Sequence, residues 1–371
     1  MKRKMFLSLL VLVALAVMAM AACAAPTPQA VTAPETVVVP ETVVVPQTQV
    51  VEQTVEKQVV VTPTSQPIAP EDAVYVGSSP VAIPYTQVMQ QGAEQAGKDI
   101  NRKVLWIQPV AFDVPKQIQM TESVLSTPGL KGMGVVAADP TSYNGLLKEL
   151  QDRGIPFVTH ASCPDVTPVC FAADFETAGK VTADRLGQVM GGKGNVVIAG
   201  GPTGDQPHEL RIKGFTEEMQ QKYPNIKILA TLPNCDTTDG TTGCAEDALS
   251  KYPQMNAYYS TGSVAPLGAA VAFPKAGRTD IIVTAVDDDP TVLDGIRKGT
   301  ISFTYIQTPY TSGYLMIYLP YLMAEKGLKP TQKFVDTGIN IVDKTNIDKI
   351  PELYQQSQTQ LLKLFNDVIM K

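Results

Sequence analysis

From about residue 72 to the end, short apolar runs alternate with segments whose apolar positions recur every three or four residues. The first pattern marks buried strands and the second amphipathic helices. Strands are predicted over 73–76, 104–107, 134–138, 155–159, 195–199, 226–231, 257–260, 280–286, 302–306 and 334–341. Helices are predicted over 85–98, 115–125, 143–153, 177–190, 209–223, 245–250, 265–275, 290–298 and 310–325, and a last amphipathic segment, 350–370, reads as helical. Only a Cys- and Pro-rich stretch before 177 breaks the rhythm. Such alternation gives parallel sheets covered by helices on both faces, an α/β architecture. A single sheet of about ten strands sits near the limit for an open twisted sheet, so two sheets are expected. Ligands in such folds lie beyond the C-terminal strand ends, which directs attention to the residues after each strand.

The first 71 residues follow other rules. Lys2, Arg3 and Lys4 precede a run, 5–22, that is apolar apart from Ser8 and ends in small residues before Cys23. Residues 1–22 read as an export signal peptide, although such a run could also stay in the bilayer as an anchor. Met20-Ala21-Ala22-Cys23 resembles a bacterial lipobox, which implies lipidation of Cys23 and a tether to the cell membrane. Residues 24–71 hold eight prolines, one lysine and an imperfect six-residue repeat beginning at Pro34, Pro40 and Pro46. Regular prolines block helix propagation, so 23–71 reads as a semi-extended stalk, with a short hairpin from the valine runs as the alternative.

Charge and cysteine usage narrow the function. The chain carries 30 Lys and Arg against 36 Asp and Glu, and loss of the leader's three cations takes the net charge from −6 to −9. An acidic chain without a basic block offers nucleic acid no electrostatic footprint. Two histidines, His160 and His208, are too few for a His-rich zinc site. Beyond Cys23, four cysteines remain: Cys163, Cys170, Cys235 and Cys244. An exported protein makes disulfides the default, with local pairing Cys163–Cys170 and Cys235–Cys244 closing two short loops; free thiols and a four-thiolate metal site are the alternatives, the latter lacking the usual two-residue ligand spacing.

The strand ends collect hydroxyls, an amide, a guanidinium, carboxylates and an aromatic. Tyr85 follows the first strand, His160 and Ser162 the fourth, and Arg211 lies in the helix after the Gly200–His208 loop. Asp236, Ser263, Asp287 and Gln307 follow later strands. This set suits a neutral polyhydroxylated ligand, which needs paired donors and acceptors and a ring face for its C–H groups. Each residue also has a plainer role: Tyr85 could staple its helix, His160 could be a buried structural histidine, and Asp236 could fix the Cys235–Cys244 loop. Asp288 and Asp289 read as capping or solvated acids, with a calcium site from 287–289 the remote alternative. No Gly-x-Ser-x-Gly elbow, phosphate loop, dinucleotide fingerprint or Cys/His nucleophile pair is present, so neither catalysis nor a cofactor or resident metal is expected.

Taken in order, a further series of stretches carries a family resemblance. Pro84-Tyr85 leads into Gln91–Gly97, followed by Asp113-x-x-Lys116-Gln-Ile118, Gly154–Thr159, Ala173-Asp174 and Ala178-Gly179. Arg211-x-x-Gly214-Phe215, Leu267–Ala269, Asp287, Asp294–Gly299, Gln307-x-Pro309 and Gly313 complete it. From about residue 73 to 343 the chain resembles the type I periplasmic binding proteins of the ribose/galactose group. The resemblance implies two Rossmann-like lobes with parallel sheets joined by a three-strand hinge. One lobe would hold 72–173 and 308–337, the other 174–307 and 338–371, with crossovers near 173–174, 307–308 and 337–338. It implies ligand contacts at Tyr85, Arg211, Asp287 and Gln307, an ABC permease and its ATPase as partners, and a monomer. The departures are Ile83-Pro84-Tyr85-Thr86, Ala161-Ser162 and Gly262-Ser263 where the ribose type carries Asn-Pro-aromatic-aromatic, Asp-Arg and Asn-Asp. They move the expected ligand away from simple ribose or hexose toward other sugar-like molecules. A sensor subunit for a receptor kinase or chemoreceptor, and an exported enzyme, are the alternative functions.

Overall fold

The computed structural model describes residues 73–237 and 240–371. The leader, Cys23 and the stalk lie outside the described residues, so the expectations placed on them have no structural counterpart here.

The first lobe is built on a six-stranded sheet in the order β11-β5-β4-β3-β1-β2. Its strands are β1 (Val74–Ser78), β2 (Lys103–Ile107), β3 (Leu130–Ala137), β4 (Phe157–Ala161), β5 (Cys170–Ala172) and β11 (Phe334–Asp336), all parallel. Helices α1 (Pro84–Ile100), α2 (Val114–Ser123), α3 (Asn144–Asp152) and α9 (Pro309–Lys326) cover it. The second sheet runs β12-β10-β9-β8-β6-β7. It comprises β6 (Gly194–Ala199), β7 (Ile226–Leu232), β8 (Ala257–Ser260), β9 (Ile282–Val286), β10 (Phe303–Ile306) and β12 (Asn340–Asp343). Only β12 runs antiparallel to its neighbour. Helices α4 (Phe175–Val189), α5 (Gln206–Lys222), α6 (Thr241–Lys251), α7 (Ala265–Lys275) and α8 (Pro290–Lys298) complete this lobe, and α10 (Ile350–Leu364) ends the chain's regular helices.

Each sheet has its core on both faces, which is why its strands read as continuous apolar runs. Val74, Val76, Met133 and Val135 are fully buried in the first, and Val197, Val283 and Ala285 nearly so in the second. Each such side chain contributes roughly 1.5–3 kcal/mol by leaving water. In both sheets the order reverses beside the first strand of the lobe, between β1 and β3 and between β6 and β8. The crevice at such a reversal is where α/β sheets place ligands.

Two helix pairs are held at backbone contact by reciprocal glycines. A Cβ on Gly92 of α1 would strike the Tyr310 carbonyl of α9, and one on Gly313 of α9 would strike the Met89 carbonyl of α1. The second lobe repeats this, Gly179 of α4 lying on the Arg211 carbonyl and Gly214 of α5 on that of Glu176. Only the missing side chains permit such approach.

The chain passes between sheets after β5, after β10 and after β11. Two differences from the sequence reading follow. The predicted strand 334–341 is two strands, β11 and β12, on different sheets, with Gly338 at φ 72° between them. The tail does not stay in the second lobe, as the assignment of 338–371 to it required. Ile347 and Ile350 pack into the second lobe's core, but Phe365, Ile369 and Met370 are buried against Met89, Phe171 and Leu315 of the first. The hydrophobic period of 350–370 signals a helix; which lobe each end packs on is a tertiary matter.

The sulfur atoms of Cys163 and Cys170 are brought together, as are those of Cys235 and Cys244, with Cα separations of 5.4 and 5.5 Å. Both fit the span of a disulfide.

Candidate functional site

The C-terminal ends of the two sheets face each other across a cavity of about 100 Å3. Loops of the two lobes also meet directly, the Gln206 amide donating to the Ala138 carbonyl at 2.9 Å. Seven of the eight residues expected to contact ligand line this cavity: Tyr85, His160, Arg211, Asp236, Ser263, Asp287 and Gln307.

Ser162 does not line it, and this corrects the sequence reading. Ala161 adopts a left-handed conformation (φ 76°), which turns the chain at the end of β4. Ala161 thereby faces the cavity, while Ser162 is buried behind it, its amide donating to the Ala137 carbonyl.

The first lobe supplies an aromatic, largely neutral wall. Pro84 starts α1, and Tyr85 in its first turn is bonded through its hydroxyl to His160 Nε2 at 3.1 Å. His160 packs on Phe171, ring centroids 5.4 Å apart. Burial pulls its pKa down to about 4, so the imidazole is neutral at physiological pH. Phe112, from the loop after β2, adds a second ring.

The second lobe supplies the charge. Arg211 projects from α5, where Gly179 fixes the helix, and its guanidinium lies 4.6 Å over the Phe175 ring of α4. Its Nη1 donates to the Thr261 carbonyl at 3.0 Å, while its buried Nε has no protein partner. Asp287 ends β9 with a left-handed backbone (φ 65°), held by its amide donating to Tyr305 and by Thr304 Oγ1 donating to its carbonyl. Non-glycine residues in that region are uncommon and concentrate at functional sites. Gln307 Nε2 donates to Asp287 Oδ1 at 2.8 Å. Burial raises the Asp287 carboxyl to about 7, against the opposing pull of Gln307 and Arg211.

Asp236 has a different primary task. Its Oδ1 accepts from the Val264 and Ala265 amides, both at 2.7 Å, which caps the start of α7. Ser263 lies on that same capping turn. Asp289 caps α8 through the Thr291 amide, as the sequence suggested, and Asp288 lines a separate cavity together with Tyr354.

The sequence reading missed Asp205, His208, Phe112 and Phe175. Asp205 precedes α5 but makes no side-chain cap bond, and its carboxyl lies 3.6 Å from His208 Nε2. Burial raises it to about 7. His208 Nδ1 bonds Thr261 Oγ1 at 2.9 Å, and that hydroxyl donates onward to Ala199. The network therefore assigns the proton to Nδ1 and leaves Nε2 as an acceptor facing Asp205. Burial lowers His208 to about 3, so it adds no charge. The strand-end rule that directed attention to the Gly200–His208 loop was the available signal for both residues.

Comparison with known proteins places this geometry among relatives. Residues 74–329 match the periplasmic binding protein domain family. The chain is 25% identical over 221 residues to a xylitol-binding protein of Mycolicibacterium smegmatis, covering 59% of this chain and 62% of that protein, a little under two thirds. It is 25% identical over 260 residues to a D-apiose import binding protein of Actinobacillus succinogenes, covering 69% and 79%. Among solved structures, an ABC transporter solute-binding protein of Burkholderia graminis in complex with D-arabinose superposes with a TM-score of 0.70 at 25% identity, covering 75% of this chain and 96% of the other.

Proposed function

The chain is a member of the periplasmic binding protein family, and on that premise we propose that it captures a neutral sugar or polyol between its lobes and delivers it to an ABC importer. One observation carries this reading: Tyr85 and His160 of one lobe converge with Arg211, Asp287 and Gln307 of the other on a single cavity.

The chemistry of the lining supports a hydroxyl-rich guest. Asp205 and Asp287, both held near neutrality, can each accept from or donate to a hydroxyl. The unpartnered Nε of Arg211 offers a donor, and Tyr85, Phe112 and Phe175 offer ring faces to C–H groups. A cavity of about 100 Å3 holds roughly seven to ten times the space one buried water needs, which suits a pentose or pentitol. The names of the relatives, which speak of xylitol and D-apiose, point the same way. A guest touching both walls stabilises the closed arrangement over the open one by the contacts it makes only there. In this reading the permease engages the closed form, the guest leaves unaltered, and Cys23 carries a lipid that tethers the protein outside the cytoplasmic membrane. The pairs Cys163–Cys170 and Cys235–Cys244 are disulfides formed in that compartment.

The test is a thermal-shift screen of the purified protein against pentoses, hexoses, polyols and nucleosides, followed by calorimetry and mass spectrometry of the recovered ligand. One class should raise the unfolding midpoint, since a ligand at a hundred times its Kd stabilises by about 2.7 kcal/mol. It should bind at one site and return chemically unchanged. A screen in which no compound shifts the midpoint, or a ligand recovered as product, defeats the proposal.

A further inference from the structure

Three connections join the sheets at strand ends, but a fourth passes through the C-terminal segment. Its start belongs to the second lobe: Ile350 is buried there, with Leu353 and Tyr354 packed on the same core. Tyr354 also lines one cavity with Asp288, the residue after Asp287. Its end belongs to the first lobe. Phe365 and Ile369 are fully buried there and Met370 nearly so. Backbone bonds lock this end: the Lys329 amide donates to the Lys371 carbonyl at 2.6 Å, the Lys371 amide to Lys329 at 2.9 Å, and the Thr331 amide to Ile369 at 2.8 Å.

Between these docks one face of the helix meets solvent. Gln355, Gln356, Thr359 and Gln360 are exposed. A cavity of about 220 Å3 separates this stretch from Asp288, Thr308 and Tyr310, and one of about 290 Å3 lies between it and Asp336, Gly338 and Asn340. Those residues are on or beside the second and third crossovers. The segment therefore runs alongside the hinge, docked at both ends and tied in between by Asn340 Nδ2 donating to Ser357 Oγ at 3.4 Å and by the buried Leu361. From Tyr354 to Phe365 it spans about 16 Å at the helical rise, and a helix resists stretching because each turn is closed by backbone hydrogen bonds. A rotation of the lobes about their short crossovers must tilt this rod or pull one dock apart.

We propose that the C-terminal segment is a strap that holds the unliganded protein toward the closed arrangement, anchored on one lobe by Ile350 and Leu353 and on the other by Phe365, Ile369 and Met370. The strap restrains the opening angle, and slack in it releases the lobes. This goes beyond ligand capture, and its test needs no ligand.

The experiment measures inter-lobe distance by pulsed electron resonance in the full chain. Nitroxides are attached through ketone-bearing residues at Lys148 and Glu246, both exposed and one on each lobe, so that the cysteines stay intact. Six Gly/Ser residues inserted between Gln355 and Gln356 give the strap slack while keeping both docks. The insertion should move the distribution to longer distances, raising the open-to-closed ratio roughly five- to tenfold, about the effect of one net hydrogen bond or more. Ile369→Ala, which thins the first-lobe dock, should move it the same way by less. A distribution that superposes on that of the unaltered protein, with circular dichroism and cooperative unfolding intact, overturns the proposal. Should the insertion fail to fold, Ile369→Ala decides alone: a longer distance supports the strap and an unchanged one refutes it.

Discussion

Asp287→Asn separates what the cleft costs in stability from what it does. The carboxyl lies 9% exposed and is held near pH 7, about three units above an ordinary aspartate, mainly because burial penalises its charge. The folded protein therefore keeps this proton more firmly than the unfolded chain. Its stability is complete below about pH 4 and declines as pH rises to about 7, remaining low beyond. Three units correspond to a ceiling of about 4 kcal/mol. Water reaching the partly exposed carboxylate limits the realised loss, so about 2–3 kcal/mol is expected. Asparagine keeps the acceptor that Gln307 Nε2 uses at 2.8 Å. Unfolding midpoints of the unliganded protein and variant should thus nearly coincide at pH 4.5 and diverge with pH, the variant ahead by roughly 5 °C at pH 8.5. His160 and His208 also titrate between folded and unfolded states, but they do so in both proteins and cancel in the difference. A gap that stays constant across this range, or a variant less stable at pH 8.5, would refute the reasoning.

Other expectations are shorter to state. Asp205→Ala should weaken binding of the ligand found by screening at least fivefold in calorimetry without lowering the unfolding midpoint; full affinity would remove Asp205 from the site. Gly313→Val should cost about 3 kcal/mol or more in denaturant unfolding, because its Cβ collides with the Met89 carbonyl. Removing either cysteine pair by double serine substitution should cost about 2–3 kcal/mol, the loop-closure value for sequence separations of 7 and 9; a loss under ~0.5 kcal/mol would show that the pair does not constrain the unfolded chain.

Much of the fold was legible because buried parallel strands and amphipathic helices leave different periods in the sequence. The short β5 was not: Cys170–Ala172 sits inside a Cys- and Pro-rich stretch whose extended path depends on pairing with β4 and β11. Periodicity hid the joint between β11 and β12, because one apolar period runs across it; the hints were Gly338 and the crossover that the family resemblance puts at 337–338. At the site, strand ends located Tyr85, His160, Arg211, Asp287 and Gln307, since the topology carries every strand end to the same rim. Ser162 failed for a reason no pattern records, the left-handed turn at Ala161. Phe175 escaped notice because it falls just before the predicted helix 177–190 and ends no predicted strand, and its service beneath Arg211 becomes visible only once α4 and α5 cross. Asp236 shows the reverse, a carboxylate placed at the rim and engaged first by the helix it starts.

The reciprocal glycine crossings have a mechanical consequence. With α1 locked to α9 and α4 to α5 at main-chain distance, one helix pair in each lobe resists sliding past its partner. In the reading proposed above, a displacement at the rim would carry each locked pair along with it toward the far surfaces. A protein docking on those surfaces would sense an angle, and chemically different guests that produce the same angle would look alike to it.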